Sequence, residues 1–550
     1  MNNFLPLIQK SHRIQLYILL ILAFALFTIS IGSYPFIDGD ATFYGQVAKN
    51  MIEHGDWVTL RFDHFDADYF VDKPPLTMWT MALMFKLFGL TEFAGRFWHS
   101  LLAVFTVLIT YLIGRRMFHH QIGILAGFIL TTSLQFFYQA REPLQDIPLA
   151  LCFALIYYLY VLFIQEKKFR YYYLICLMIG IAIMIKGLVG LILPGAVLLL
   201  TFVISKEYKN FQLKDYLAHL PAGLGLVLLV CLPWHVAEYL KEGNKFFEFY
   251  FGERTFSRYM SVNSFPGSAV PAYLIYLFLG FLPWTIFLGQ SLYSGWKQYF
   301  KTSALPEKNH YLLLLVWIIT TFTFFAISPG SIFMRYLLPL FPACALLIAK
   351  YLYDSISLSL LKPGIAAALI GFLLSLASTI TNTFSSQLLN PATIQQDQIY
   401  LSILTPFLFF FSTGLLACAY FLIVGNNKRS VYLLVILTAI SYFVFAHTIN
   451  RNIARALPQK QIAAFINQNT APNTKVIKYM PKRGGLTMLS FYLKPYLKPV
   501  YNEDDLILFL ENNPGTIVIV EDQDYIPESL KASLLLMKQH EKWGVYERRD

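Results

Sequence analysis

The sequence predicts a polytopic α-helical membrane protein of about thirteen spans, followed by a small C-terminal α/β domain outside the cytoplasm. Three observations predict it. Hydrophobic residues fill 57% of 550 positions and charged residues 14%, whereas a soluble domain averages about 45–50% and about 25%; mean hydropathy is +0.53. Apolar runs close to the ~20 residues that cross a bilayer recur along the chain. From about Leu457 onward the composition turns to that of a soluble domain.

Lys10, His12 and Arg13 precede the first apolar run, Ile14 to Gly32, in the charge order of a signal peptide. That run is long enough to span, and a small-x-small cleavage site is missing before Tyr34-Pro35. It reads as a retained first span with a cytoplasmic N-terminus. Further spans are predicted near 95–116, 122–140, 146–164, 171–186, 188–204, 217–237, 269–290, 311–327, 333–351, 364–382, 402–424 and 431–449. Basic residues test this register independently. They gather in alternate loops: Lys10 and Arg13; Arg115 and Arg116; Lys167, Lys168 and Arg170; Lys206, Lys209 and Lys214; Lys297, Lys301 and Lys308; Lys350 and Lys362; Lys428 and Arg429. The loop from Ile380 to Tyr400 has none, so the first set is placed in the cytoplasm. The same scatter assigns the net charge of +11 to topology rather than to nucleic acid. The five cysteines lie in apolar runs without metal-ligand spacing, and His54, His64 and His99 form no helical pair. No disulfide or zinc site is therefore expected; no cofactor is expected, and the acid trio Asp38, Asp40 and Asp72 leaves a divalent ion open.

An odd number of spans carries the tail to the opposite side. There a domain of residues 456–550 is expected, after a membrane domain of residues 1–455 with outer loops 35–93 and 238–268. Periodicity predicts a helix at Gln459–Asn467, a strand at Lys475–Tyr479, helices near Leu486–Leu493 and at Glu503–Glu511, a strand at Thr516–Glu521, a helix at Glu528–His540 and a strand at Gly544–Glu547. No catalytic constellation stands out in it, and a lid or packing module is the expected role.

The chemistry concentrates in the polar stretch from Ile37 to Pro75. Asp38 and Asp40 follow the first span directly. Asp72-Lys73-Pro74-Pro75 sets a cation beside an acid, ahead of two prolines that fix the backbone. On the same predicted face lie Arg141, Glu142 and Asp146; Lys186 in the turn IMIKGLVG; Glu253, Arg254 and Arg258; and Arg335 and Tyr336 of SPGSIFMRYLLP. A charge costs roughly 2.5–3.5 kcal/mol at the bilayer centre and less near the interface, so a gathering of both signs there points to a site. It suits transfer from an anionic lipid carrier: Lys73 on the phosphate, Asp40 facing the acceptor. Simpler readings exist for each residue. Asp38 and Asp40 suit helix N-caps, Lys73 a snorkelling anchor, Asp146 with Arg141 and Glu142 a structural ion pair, and Arg96 and Trp98 interfacial anchors.

The strings DGDATFYGQVAKNMIEHGDWV, YFVDKPPLTMWTMALMFKLFG and EFAGR resemble the first extracytoplasmic loop of GT-C fold, lipid-carrier-dependent glycosyltransferases. These are the protein O-mannosyltransferases and, more closely, the bacterial aminoarabinose transferases that modify lipid A. The resemblance extends over essentially the whole chain. It implies that Asp40 is the catalytic carboxylate with Tyr44 lining its pocket, that Lys73 contacts the donor phosphate with Asp72 beside it, and that Asp146 supports the site. Near Arg335-Tyr336 the family usually has a Lys before the Tyr; that position is Ser331 here, and Arg335 supplies the charge. Asp40-Ala41 replaces the usual Asp-Glu, and Phe43 stands where an Arg is usual. The implied reaction is inverting sugar transfer from a polyprenyl phosphate such as undecaprenyl phosphate, with Lys186 a further phosphate contact and lipid A, another glycolipid or a protein hydroxyl as acceptor. The alternative is a transporter or flippase of lipid-linked sugars; it should show internal inverted repeats, and none is visible.

Overall fold

The computed structural model describes residues 12–36, 39–62, 73–210, 213–250, 252, 269–327, 332–355, 427–456, 459–471, 474–480, 487–495, 497–520, 525–540 and 543–548. It is mostly helical, with a small C-terminal sheet, and divides into two compact units. The first comprises Met1–Ile31, Val71–Thr80 and Arg96–Ile449; the second comprises Gly32–Phe70, Met81–Gly95 and Asn450–Asp550.

Among the described residues, six helices are long and apolar enough to cross a membrane: Glu92–Met117, Asp146–Glu166, Phe169–Lys186, Leu217–Glu242, Pro306–Ile327 and Met334–Asp354. Shorter apolar helices include His12–Thr28, Leu76–Phe88, His120–Thr131, Val189–Ile204 and Tyr432–Ala446. The chain is a multi-pass membrane protein. Of the expected spans, 364–382 and 402–424 lie outside the described residues.

Two expected spans are interrupted. The run 122–140 divides into His120–Thr131 and Leu134–Gln139. The run 269–290 divides at Phe281–Pro283, and its continuation through Lys301 turns by 112°. Pro283 has no N–H to continue the first helix, and the hydroxyls of Thr132 and Ser133 bond back to the carbonyls of Phe128 and Ile129, competing with the ladder. The two breaks satisfy one another within the first unit. Leu134 N–H donates to Leu282 O at 3.0 Å, the Trp284 indole donates to Thr132 Oγ1 at 2.9 Å, and the Tyr442 hydroxyl reaches Thr132 O at 3.1 Å. Irregular backbone in an apolar setting persists where protein groups meet its polar atoms. A hydropathy pattern registers the apolar length and misses the break.

In the second unit five strands form a sheet of order β2-β1-β3-β5-β4: β1 Val476–Tyr479, β2 Leu497–Val500, β3 Ile517–Val520, β4 Leu534–His540 and β5 Trp543–Arg548. β1 runs parallel to β2 and β3, whereas β5 is antiparallel to β3 and β4. Alternation along β1 and β3 sends Val476, Ile517 and Ile519 into one core with Ile462, Ile466 and Leu493. It sends Ile477, Val518 and Val520 into another with Leu506 and Leu510. The helices Gln459–Asn469 and Glu503–Asn512 thus cover opposite faces.

Three expectations here need correction. The helix expected over Glu528–His540 ends at Lys531, and Leu534–His540 is a strand. Its Leu-, Met- and Lys-rich sequence favours helix locally, but a hairpin with β5 gives it a ladder, and tertiary pairing prevails. β2 was missed because Pro499 argues against a strand; at a sheet edge its missing N–H is tolerated. The helix near Leu486–Leu493 is one turn, Thr487–Ser490.

The same unit includes the helix Gly39–His54. Phe36 packs edge-on to Phe491 at 5.1 Å, its N–H donates to the Tyr492 hydroxyl at 3.0 Å, and Lys49 Nζ donates to Leu493 O at 2.7 Å. Lys49 is only 8% exposed. Burial pulls its amine below the usual lysine range, against the opposing pull of Glu53.

Candidate active site

Asp146 opens the helix Asp146–Glu166, and Lys186 closes the helix Phe169–Lys186. These two helices pack together. An acid at a helix N-terminus and a base at a C-terminus each complement the helix dipole, so both charges are favoured where the helices place them. Gly187 follows Lys186 with φ of +62°, the left-handed conformation in which glycine stops a helix without a Cβ penalty. Arg335 and Tyr336 lie in the 3-10 helix Met334–Leu340, held where the Trp317 indole donates to Pro339 O at 2.8 Å.

Four of the residues expected from the sequence meet here. Lys186 Nζ lies 2.6 Å from Asp146 Oδ1, and Arg335 Nε lies 3.5 Å from Asp146 Oδ2. The Lys186 ammonium sits 4.4 Å from the Tyr336 ring centroid, a cation–π contact. Tyr336 is stacked on Phe325 at 5.3 Å, which orients the ring, and the Arg335 guanidinium lies over Phe333 at 4.3 Å. Asp146 is 3% exposed. Its carboxylate receives two cations, so the three charged side chains sum to +1 in an apolar setting.

Arg141 and Glu142 flank Asp146 on the preceding loop, both buried. Arg141 Nη1 donates to Leu26 O at 3.0 Å. Glu142 faces Arg96, a residue expected at the membrane interface; that expectation is wrong, because Arg96 is fully buried and pairs with Glu142 at 3.6 Å. EFAGR marked its position, yet no local signal distinguishes a buried Arg from an anchor.

Lys73 is half-buried and described with the first unit, just before Pro74-Pro75 and the helix Leu76–Phe88. Asp40 is exposed in the first turn of Gly39–His54 and belongs to the second unit, as does buried Tyr44. Phe43 stacks on Phe62, rings 4.5 Å apart and 1° from parallel. Asn50 Nδ2 donates to the carbonyls of Arg61 and Phe62 at 3.0 and 2.9 Å, which holds Phe62 in place. Asp38, Asp72, Glu253, Arg254, Arg258 and Ser331 lie outside the described residues. Among the described residues no group of three or more His, Cys, Asp or Glu is arranged to hold a metal ion.

The chain is similar to several known proteins. The family model of dolichyl-phosphate-mannose-protein mannosyltransferases matches residues 72–236. The crystal structure of ArnT from Cupriavidus metallidurans bound to undecaprenyl phosphate superposes with a TM-score of 0.79 at 20% identity, over 96% of this chain and 97% of that one. The chain shares the fold of that protein. The oligosaccharyltransferase of Archaeoglobus fulgidus is a more distant match in fold, with a TM-score of 0.55 at 12% identity over 92% of this chain and 69% of that one. In sequence, an uncharacterized protein of Aquifex aeolicus is 29% identical over 56% of this chain and 58% of its own length. The undecaprenyl phosphate-alpha-4-amino-4-deoxy-L-arabinose arabinosyl transferase 2 of Proteus mirabilis is 26% identical over 57% of this chain and 55% of its own. The chain thus spans little more than half the length of the curated relatives it matches.

Proposed function

We propose that this protein is a glycosyltransferase of the bacterial inner membrane. It moves a sugar from a polyprenyl-phosphate donor to an envelope acceptor, lipid A or another glycolipid foremost and a protein hydroxyl as the alternative. The N-terminus is cytoplasmic, and the C-terminal domain and the reaction are on the outer face. The observation that carries this reading is the pair of cations, Lys186 and Arg335, converging on Asp146 with the Tyr336 ring beneath the ammonium. A lipid phosphate meets its needs there, since each charge-assisted hydrogen bond contributes about 1.5–3 kcal/mol.

In this reading Lys186, Arg335, Tyr336 and Lys73 hold the donor phosphate and stabilise it as it leaves. An acceptor oxygen forms its bond to the anomeric carbon while the bond from that carbon to the phosphate oxygen breaks. The polyprenyl phosphate departs, and direct displacement inverts the anomeric centre. Asp40 is the carboxylate facing the acceptor: it takes the proton of a hydroxyl, or orients a phosphate that is already ionised. Asp146 keeps the two cations in register.

Mass spectrometry of envelopes from cells with and without the active protein tests this. The expected result is a single sugar-sized mass difference on lipid A, another glycolipid or a protein. Identical envelopes, together with purified protein that moves intact lipid-linked sugar across vesicles, would overturn it.

A further inference from the structure

We infer that Arg96 is a positioning residue for Asp146, acting through Glu142 and the loop Ala140–Gln145. The inference rests on the reading of Asp146 as part of the donor site. That loop is short, buried throughout and bridges two helices, so its course fixes where the Asp146 carboxylate begins. Three side-chain ties fasten it. Ser100 Oγ, one turn beyond Arg96 on the helix Glu92–Met117, lies 3.0 Å from Ala140 O. Arg141 donates to Leu26 O. The Arg96 guanidinium makes the third, joining Glu142 to the end of the first apolar run: Nη1 donates to Ile31 O at 2.9 Å, and Nη2 faces Glu142 Oε1 at 3.6 Å.

Geometry connects the Arg96 tie to Asp146. Glu142 precedes Asp146 by four residues, and within this interval the loop makes its own turn, Leu144 N–H donating to Glu142 O at 2.9 Å. A shift of Glu142 therefore carries into the first turn of the helix Asp146–Glu166. There the carboxylate meets Lys186 and Arg335 from two further elements, and hydrogen bonds tolerate little displacement. A fully buried Arg–Glu pair is weak evidence of stabilisation, since well-packed apolar residues often serve as well. Its fork, however, fixes direction as well as distance.

The test uses the full chain, purified in detergent. Arg96→Met and Glu142→Gln each leave one buried charge uncompensated; the double variant leaves neither. In the double variant, folded as judged by elution and thermal melting, we expect kcat to fall about 10–100-fold, the scale of a small misplacement at a reaction centre, with the donor KM unchanged. Acylation of Lys186 by an amine-reactive ester, referenced to exposed Lys301, should become several-fold faster as its contact to Asp146 loosens. Arg96→Lys keeps the charge without the fork and should fall between; it carries both readouts if the double variant does not fold. Wild-type acylation and wild-type kcat in the folded variant would overturn the inference and leave the pair purely structural. If the wild type transfers no sugar, the functional reading falls, while the acylation comparison still decides this one.

Discussion

Two lysines, partly buried Lys186 in the first unit and buried Lys49 in the second, are used in opposite ways. Lys186 meets a carboxylate that a second cation, Arg335, also meets, with an aromatic face alongside. Lys49 in the second meets a main-chain carbonyl, and burial pulls its amine below the ordinary range. A carbonyl supplies a dipole and no net charge, so Lys49 serves as a strut between the helix Gly39–His54 and the C-terminal domain. In the proposed reading, a carboxylate shared by two cations keeps their positive charge in place for the donor phosphate. Burial alone does not mark a functional lysine; the charge of its neighbours does.

The largest effect that would sharpen this contrast is on turnover. Lys186→Ala should lower transfer roughly 10²–10³-fold, the scale of losing one preorganised donor in a transition state, and Lys73→Ala should do likewise. Near-normal rates in a folded Lys186→Ala protein would remove it from the site. Asp146→Asn comes next: it strips two buried cations of their shared counter-charge, and removing one partner of a buried pair costs about 3–5 kcal/mol. A substantial fall in Tm together with lost activity is expected, and an unchanged Tm would contradict the pairing.

A smaller effect is expected at the interrupted spans. Tyr442→Phe deletes the hydroxyl that reaches Thr132 O and should cost about 1–3 kcal/mol for the carbonyl left unmet, seen as a lower Tm with transfer intact. The smallest concerns Lys49. Because its native pKa is lowered, the unfolded chain binds more protons between that value and the ordinary lysine value of about 10.4, so stability rises with pH across that window. Lys49→Met should therefore gain most over the wild type below the window and lose that advantage as pH rises through it. A difference in Tm between the two proteins that is flat with pH would contradict the depressed amine.

Much of this was legible in the chain. Apolar length marked several of the helices that cross the membrane, and alternation marked β1, β3 and β5, because burial on a fixed period leaves a local record. Asp146, Lys186, Arg335 and Tyr336 were legible as candidates, since charges at helix ends in an apolar sequence are costly enough to need a reason. Arg96 was misread: a guanidinium at a helix start has the same local pattern whether it faces lipid headgroups or a glutamate. The hairpin strand Leu534–His540 was misread for a related reason, since its helix-favouring residues carry no trace of the partner that overrules them.

The sequence by itself determined the class, the polar inventory and the approximate place of each span, all of which follow from composition and short-range period. Only the tertiary structure decided that the carboxylate of one helix start meets the ammonium of another helix end and the guanidinium of a 3-10 turn. It alone decided that Thr132 and Leu282 break their helices where each can satisfy the other. Such convergence depends on distances between segments far apart in the chain, and hydrogen bonds and ion pairs form only where packing brings those segments within reach.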